Sequence, residues 1–312
     1  MRRIFTFFTM MLATLTASAQ SAESVTVPEG WTASQGEGNT INLQYSGNKR
    51  VKSVKVKIYH CFSVSETKKV VFSPGNLQYK ASADTWRFAE HQWDYVGGTD
   101  ANNVAYGNVY ENGVKSDNTK IAADYDGWID LFGWGTGDKP THTSVTGSDY
   151  ENFNDWGDNM NEDVYTWRTL AKAEWDYIIN TRTTVSGIRY AKVKVKGVCG
   201  LLLLPDSWTS DIYTFSSNNQ KDASFEEISD EDWEKIEVNG AVFLPSVGER
   251  RSNKKYANDN GSHNYNYGGY WSSSVASSSQ GHCVGFHNKN VYTAGSPYKY
   301  YGRAVRLVRD AK

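Results

Sequence analysis

Short runs of alternating apolar and polar residues predict β-strands along most of the chain. Three such runs lie near the start, at residues 25–27, 41–45 and 51–58. In the third run, valines and an isoleucine nearly alternate with lysines, which is typical of a half-buried strand with a solvated lysine face. Because a segment of about 40 residues is too small for an independent core, residues 20–61 are predicted to form a small N-terminal β segment.

A longer series of strands is predicted from residue 62 onward. Strand-like runs between residues 62 and 79 are interrupted at 73–76 by Ser-Pro-Gly-Asn, which is a turn signal. Further strands are predicted at 191–195, 201–204 and 241–244. The run at 201–204 is apolar at every position, which predicts a central strand that is buried on both faces.

The first of two predicted helices begins near Ala171. Glu174 occupies the acidic position of a capping box, but Ala171 lacks the side-chain acceptor of a good N-cap, a deficit of about 1 kcal/mol. Four apolar residues share one face of this helix and are predicted to be buried: Leu170, Trp175, Ile178 and Ile179.

A second, shorter helix is predicted after Ser229. Ser229 is a suitable N-cap, and Asp232 stands at the third helical position. Trp233 and Ile236 then fall on the inward face. Two helices set among many short strands predict the α+β fold class.

Aromatic residues and glycines are abundant, with 11 Trp, 20 Tyr, 12 Phe and 27 Gly. Such a composition is typical of a fold in which large rings hold irregular backbone in place. Residues 126–135 carry Trp128, Phe132 and Trp134 within ten positions. We expect this segment to be an ordered loop, because three large rings would not be left in water.

The first residues predict export. Arg2 and Arg3 precede an apolar run at 4–15, and the small residues at 17–19 fit a signal-peptidase site with cleavage after Ala19. The apolar run is too short for a transmembrane segment, which needs about 20 residues. Loss of the two arginines changes the net charge from −2 to −4. Mild acidity without a basic run argues against nucleic acid and anionic membranes as partners.

The chain from 62 to 309 resembles a known family through nine motifs. The most specific are the last three, which surround the C-terminal strands. The motifs are VVFSPGNLQY (70–79), WRF (86–88), QWDYVG (92–97), WRTL (167–170), LLPD (203–206), GAVFLP (240–245), YWSSS (270–274), VGF (284–286) and GRAVRLVR (302–309). They resemble a large Bacteroidetes paralogous family, the major paralogous domain first described from Fibrobacter. They are also similar to the variable proteins of diversity-generating retroelements, which have a C-type-lectin fold of the formylglycine-generating-enzyme type.

The resemblance implies a C-type-lectin-like domain over 62–312, whose C-terminal segment contacts the ligand. Residues 277–301 are rich in Ser, Asn, His, Lys and Tyr, a composition typical of paratope-like loops. Trp271, Phe286 and Arg306 are assigned structural roles in the frame, together with a terminal strand over 304–308. The candidate ligand-binding residues are Ser279, His282, His287, Asn288, Asn290, Tyr292, Tyr298, Tyr300 and Tyr301.

The expected function is therefore that of an exported, adhesin-like or receptor-like binding protein without a cofactor or catalytic residue. Its expected partner is a protein or glycan on another cell or host surface. Two alternatives stay open: an enzyme, either a glycan-active hydrolase or a divergent oxidase on the same fold, and a structural component of a surface assembly.

The sequence leaves open whether the chain belongs to the variable proteins that retroelements diversify. Diversity-generating retroelements change the adenines of a template sequence. An Asn codon of the AAC type cannot become a Lys or Gln codon in this way. Gln280, Lys289 and Lys299 are therefore expected to be invariant framework positions, or the chain is a paralogue that is not diversified.

The sequence carries no clear motif for metal or thiol chemistry. Cys61, Cys199 and Cys283 form no CxxC pair, and one disulfide is compatible with export in any of three pairings. The six histidines lack metal-ligand spacing, and residues 122–133 fail the EF-hand pattern. Acidic and amide residues at 155–163 are expected to be a solvated loop, with a structural calcium site as the alternative.

Overall fold

The computed structural model describes residues 30–35, 40–46, 53–57, 60–96, 98–99, 105–106, 123–160, 166–215, 225–251, 254–256 and 266–311. These residues are about 14% helix and 38% strand, which is the predicted α+β class. The predicted signal peptide and the predicted strand at 25–27 lie outside the described residues. Within the described part of the chain, no helix has the length and apolarity needed to cross a bilayer.

Three antiparallel strands form the described part of the N-terminal segment: β1 (Trp31–Gln35), β2 (Thr40–Tyr45) and β3 (Ser53–Lys57). The last two confirm the strands predicted at 41–45 and 51–58. β1 was not predicted, because Trp31 and Ala33 give only a weak apolar alternation. The register places Trp31 opposite Tyr45, and their ring centroids are 5.2 Å apart, so the pair stabilises the β1–β2 hairpin.

The other described strands are short, as the sequence predicted. They are β4 (Phe62–Ser63), β5 (Lys69–Phe72), β6 (Leu77–Lys80), β7 (Thr85–Phe88), β8 (Gly98–Thr99), β9 (Ala105–Tyr106), β10 (Trp128–Ile129), β11 (Tyr190–Val195), β12 (Val198–Leu203), β13 (Glu226–Ile228), β14 (Val242–Pro245), β15 (Glu249–Arg251), β16 (Lys254–Tyr256), β17 (Gly268–Val275), β18 (Gly281–His287), β19 (Asn290–Gly295) and β20 (Val308–Asp310). The α-helices are α1 (Lys172–Asp176), which continues as a π-helical turn (Tyr177–Thr181), and α2 (Asp230–Val238). Single 3-10 turns lie at Ala81–Ala83, Gly147–Tyr150 and Trp156–Asn159.

The central sheet has the strand order β13-β11-β12-β14, and β12 separates two hydrophobic cores. Leu201 and Leu203 point into one core, while Leu202 and Leu204 point into the other. All four are fully buried, so each stabilises the fold by roughly 2 kcal/mol. The prediction of a central strand buried on both faces is confirmed. Successive side chains of a strand point to opposite faces, so each face of β12 meets one core.

A second sheet, β17-β18-β19, separates the first core from a third core that is rich in tryptophan. Along β18, Val284 and Phe286 face the first core and Cys283 faces the third. This alternation confirms the predicted facing of these residues. Gly281, at the start of β18, lies against Trp134. A Cβ built on it would be 2.4 Å from the indole, so only glycine fits there.

The predicted ordered loop at 126–135 contributes to the third core. Phe132 and Trp134 are buried, and Trp128 is half-buried beneath the guanidinium of Arg87. The indole of Trp134 donates to the carbonyl oxygen of Ser272 at 3.0 Å, and the indole of Trp271 donates to the carbonyl oxygen of Phe132 at 2.7 Å. Each ring therefore fixes the backbone of the other segment.

The terminal strand is shorter than predicted. Residues 304–308 were expected to form it, but the regular strand is β20, which pairs with β5 in the sheet β20-β5-β4. Between 303 and 308 the backbone instead bonds to several separate segments, including Phe132, Gly269 and Leu77. Because the partner changes at nearly every residue, no continuous ladder can form there. The pairing of β20 with β5 brings together the two ends of the region that carries the nine motifs.

Both helices begin where the sequence predicted, and their caps differ. Ser229 Oγ accepts from the amide of Asp232 at 3.1 Å, which confirms the predicted N-cap of α2. At α1, Glu174 accepts from the amide of Ala171 at 2.8 Å. The acceptor that Ala171 lacks comes from a distant residue, because Ser274 Oγ accepts from the amide of Lys172 at 3.0 Å. The YWSSS motif therefore caps α1 from β17.

Polar residues of the other motifs form buried or partly buried links between segments. Gln92 accepts from the amide of Phe243 at 2.8 Å and from the guanidinium of Arg306 at 2.8 Å. Asn76 donates to the hydroxyl of Tyr270 at 3.1 Å. Asp206 accepts from the amide of Ser63, at 3.0 and 3.1 Å, and from the guanidinium of Arg182 at 3.1 Å. These motif residues connect distant parts of the chain.

Candidate binding surface

The nine candidate ligand-binding residues lie in two groups at opposite ends of β18. Most of the segment from 277 to 301 forms β18 and β19, so the loops expected to contact the ligand are limited to the turns at the ends of these strands. The alternation of Val284 and Phe286, and of Val291 and Thr293, buries one face of this hairpin. Seven residues of strand span about 20 Å, which separates the two groups.

The first group contains a tyrosine cluster, formed by Tyr298, Tyr300 and Tyr301. The rings of Tyr298 and Tyr300 are stacked, with centroids 5.3 Å apart and an interplanar angle of 14°. The Tyr301 ring packs edge-on against both, at 5.7 and 5.1 Å. Tyr298 is 44% exposed, and the other two are half-buried. The cluster therefore leaves part of its aromatic surface exposed to solvent.

Lys299 fixes this cluster from the interior. Its backbone carbonyl accepts from the amide of Trp134 at 2.8 Å, and its amide donates to the carbonyl of Ser279 at 2.9 Å. The ammonium group lies 4.5 Å from the centroid of the Trp134 ring, and burial lowers the pKa of Lys299. Since the residue is only 2% exposed, it holds its two tyrosine neighbours against the third core.

The β17–β18 turn adjoins the tyrosine cluster. Gln280 forms a backbone bridge with Tyr298, and its side chain donates to the carbonyl of Ser296 at 2.7 Å. Ser279 lies in this turn, and His282 follows it on β18, where its carbonyl accepts from Ser272. Lys299 and Gln280 thus occupy framework positions, whereas Lys289 is exposed in the β18–β19 turn.

Sequence reasoning missed the apolar surroundings of this turn. Val275 and Val145 are 56% and 57% exposed, and they are among the four exposed large hydrophobic residues of the described chain. Val275 pairs with Gly281 across the turn. Val145 lies two residues before Gly147, where a built Cβ would be 3.0 Å from Ser279 Cβ. An exposed valine is a weak signal in sequence, because only the fold brings 145 and 275 to the same turn.

A charged group that sequence reasoning also missed borders the tyrosine cluster. The guanidinium carbon of Arg251 lies 5.0 Å from the centroid of the Tyr301 ring. Glu249 is buried between two arginines: it accepts from Arg251 Nε at 2.6 Å and from Arg303 Nη2 at 2.6 Å. Arg303 also donates to the hydroxyl of Tyr267. Burial lowers the pKa of Arg303 to about 10, and Glu249 opposes that shift.

The second group lies at the β18–β19 turn and contains His287, Asn288, Asn290 and Tyr292. The turn is held from below by Lys192 of β11, whose buried ammonium group donates to the carbonyl of Asn288 at 2.7 Å. His287 Nδ1 accepts from the amide of Lys289 at 3.2 Å, and burial lowers the pKa of His287.

Tyr292 is half-buried, and its ring packs within the β18–β19 hairpin. A Cβ built on Gly285 would lie 2.4 Å from its ring, so the ring covers the glycine directly opposite in the register. Burial also raises the pKa of Tyr292. Asn290 is exposed, but its side-chain oxygen accepts from the amide of Val291 at 2.9 Å. The second group is therefore largely engaged in holding its own turn.

The three residues assigned to the frame are all buried. Trp271 and Arg306 are each 1% exposed, and Phe286 is fully buried. Arg306 donates to Gln92, and its pKa is lowered to about 10 by burial.

Three further predictions from the sequence concern the acidic stretch at 155–163, the cysteines and metal binding. Asp155 accepts from the amide of Gly157 at 3.0 Å and from the hydroxyl of Thr169 at 2.7 Å, which makes it the N-cap of a 3-10 turn. Residues 161–163 of the same acidic stretch lie outside the described residues.

No disulfide joins the three cysteines, and Cys283 is buried with its pKa raised by that burial. In the described ranges, no three His, Cys, Asp or Glu side chains are grouped to hold a metal ion.

Comparisons of the chain with protein-family models, curated proteins and solved structures give no significant match.

Proposed function

We propose that this chain is an exported binding protein on a C-type-lectin-like scaffold, and that it contacts its ligand through the tyrosine cluster. The observation that carries this proposal is the exposed stack of Tyr298 on Tyr300, bordered by Tyr301. Tyrosine offers a large contact area at little conformational cost, which is why it is enriched in binding surfaces.

Rigidity of the cluster supports the same function. Lys299 and Gln280 fix the segment that carries the tyrosine cluster through backbone and side-chain contacts. A surface that is ordered before binding loses less entropy when the ligand arrives. The exposed valines beside the turn enlarge the apolar part of the surface.

The scaffold part of the proposal is supported by the motifs and by their contacts. Motif residues supply buried links between segments, and β20 pairs with β5 to close the region that resembles the family. A thiol oxidase is not favoured, because Cys283 is buried and its raised pKa keeps the thiol protonated.

Binding of the mature chain to cell surfaces, and to protein and glycan arrays, tests this function. We expect Tyr298→Ala with Tyr300→Ala to weaken binding by at least about thirtyfold, since central aromatic residues contribute about 2 kcal/mol or more. Tyr292→Ala, at the other end of β18, is the matched control and should leave binding nearly unchanged. Urea unfolding of each variant reports whether the fold is intact. Unchanged binding of a folded Tyr298/Tyr300 double variant would contradict the proposal.

A further inference from the structure

Three of the four exposed large hydrophobic residues of the described chain lie around one turn. They are Val145, Val275 and Tyr298, which are 57, 56 and 44% exposed. The fourth, Val185, lies in the loop that precedes β11, where its amide donates to the carbonyl of Asp206. Single exposed apolar residues are ordinary on a protein surface, whereas a group of them marks an interaction site.

The β17–β18 turn holds two of these residues beside each other. Val275 pairs with Gly281 across the turn, and Gln280 forms a backbone bridge with Tyr298. Gly281 also donates from its amide to the carbonyl of Pro297 at 3.2 Å. The end of β17 and the segment that carries the tyrosine cluster are therefore fixed to the same two residues.

The loop that carries Val145 packs against the same turn. A Cβ built on Gly147 would be 3.0 Å from Ser279 Cβ, so the two backbones are in close contact. The hydroxyl of Tyr150, which is buried, donates to the carbonyl of Ser144 at 2.8 Å and anchors the loop. All three exposed side chains are therefore presented by ordered backbone.

The surface formed by these segments carries almost no charge. We define it as the turn surface, residues 143–147, 275–281 and 296–301. Charged residues make up 22% of the chain, but only Lys299 falls in these segments, and it is 2% exposed. At the border, Arg251 is ion-paired with Glu249. Depletion of charge together with exposed tyrosine is typical of the core of a protein–protein interface.

We infer that the turn surface and the tyrosine cluster bind a protein, through an uncharged apolar patch on the surface of that protein. This inference rests on the proposed function and names its partner class. Apolar side chains of the partner can pack on the two valines and on the tyrosine rings, and burial of this apolar area favours association. The Ser, Thr and Gln side chains of the turn surface can bond to polar groups at the rim.

A carbohydrate is the competing ligand for exposed tyrosines. A sugar carries many hydroxyl groups, and burying a hydroxyl without a hydrogen-bond partner costs free energy. Val145 and Val275 offer no such partner, so a sugar would gain from the rings alone. A protein ligand gains from the rings and from the valines. The contribution of the valines therefore distinguishes the two ligand classes.

Cells that bind the mature chain are the probe for the first test. Treatment of the cells with proteinase K should abolish binding, whereas periodate, which oxidises sugar diols, should leave binding unchanged. Because the contact contains no ion pair, the affinity should change less than about threefold between about 0.05 and about 0.5 M NaCl.

Matched valine variants form the second test. Val145→Ser with Val275→Ser should weaken binding to untreated cells about tenfold or more. Val185→Ser removes the same side chain from a position that is 70% exposed elsewhere on the protein, and should bind like the wild type. Val145→Thr with Val275→Thr keeps the branched shape of both side chains and should weaken binding in the same direction. Urea midpoints identify any variant that fails to fold.

Four results would overturn the inference: binding that survives proteinase K, loss of binding after periodate, binding that weakens strongly with salt, or unchanged binding of the folded serine and threonine variants. An equal loss in Val185→Ser would overturn it as well. Sedimentation of the mature chain alone tests self-association, and a dimer that the serine variants dissociate would assign the turn surface to a second copy instead.

The tyrosine variants separate this inference from the proposed function. If the inference fails while Tyr298→Ala with Tyr300→Ala still abolishes cell-surface binding, only the partner class is wrong. If that double variant binds like the wild type, the proposed function is wrong too. If neither cells nor arrays bind the mature chain, both fail.

Discussion

Outward-facing tyrosines alternate with an inward-facing lysine at the C-terminal surface. Lys299 packs its ammonium group over the Trp134 ring, and its neighbours Tyr298 and Tyr300 stack on the outside. A cation over an aromatic face contributes about 0.5–1 kcal/mol at exposed sites and more when it is desolvated. One residue therefore orients the two tyrosines that are proposed to contact the ligand.

Burial also decides the chemistry of individual side chains, as Cys283 illustrates. Its thiol lies between β17 and β19, 1% exposed, and burial raises its pKa. An ordinary thiol becomes reactive as the pH rises through about 8.5, because the thiolate is the nucleophile. A raised pKa moves that transition to higher pH.

We therefore predict that Cys283 resists alkylation in the folded protein. In a Cys61→Ser/Cys199→Ser variant, iodoacetamide labelling should be slow at pH 7 and should rise little up to pH 9. In urea, the same thiol should react at the rate of a free cysteine. Mass spectrometry measures both rates. Rapid labelling of the native variant at pH 8 would show that the thiol is accessible.

Helix caps show how elements of this fold support each other. α2 carries its own N-cap, Ser229, whereas α1 begins at Ala171 and receives a hydroxyl from Ser274 on β17. The amide groups at a helix N-terminus need an acceptor wherever it comes from. A local sequence pattern therefore predicted one cap and could not have predicted the other.

We predict that Ser274→Ala and Ser229→Ala each lower the free energy of unfolding by about 1 kcal/mol. The two hydroxyls serve different helices and share no hydrogen-bond partner. The double variant should therefore lose about 2 kcal/mol, because separated effects add. Urea denaturation of the four proteins completes the cycle. Ser273→Ala is the matched control, and an equal loss in that variant would argue against a capping role for Ser274.

On the scale of the whole molecule, three cores are joined by buried polar residues. Arg306 is 1% exposed and donates to Gln92 at 2.8 Å and to the carbonyl of Pro74 at 3.3 Å. Gln92 in turn accepts from the amide of Phe243. Segments more than 200 residues apart therefore depend on one guanidinium for their hydrogen bonds.

We predict that Arg306→Met lowers the free energy of unfolding by about 1–3 kcal/mol, the range for leaving a buried hydrogen-bond acceptor without its donor. The methionine keeps much of the volume but removes the donor to the carbonyl of Pro74 and one of the two donors to Gln92. Lys235→Met on the exposed face of α2 is the control and should change stability by less than about 0.5 kcal/mol. If both variants unfolded at the same urea concentration, the buried network would contribute little.

The sequence by itself determined the elements whose signal is local. The all-apolar run at 201–204, the Ser229 cap and the turn at 73–76 each follow from neighbouring residues, and the structure has them where they were predicted. Trp271, Phe286 and Arg306, to which the sequence assigned structural roles, are buried. Periodicity and capping act over a few residues, so a single chain is enough to read them.

Only the tertiary structure decided how the candidate residues are grouped. It divided nine residues between the two ends of β18 and paired β18 with β19, a strand that was not predicted. It also brought Arg251 and Val145 to a surface that sequence reasoning had assigned to 277–301 alone. The backbone of 303–308 likewise bonds to many segments instead of one strand. Such contacts join residues far apart in the chain, and the energy that selects them comes from packing and buried hydrogen bonds that no local pattern contains.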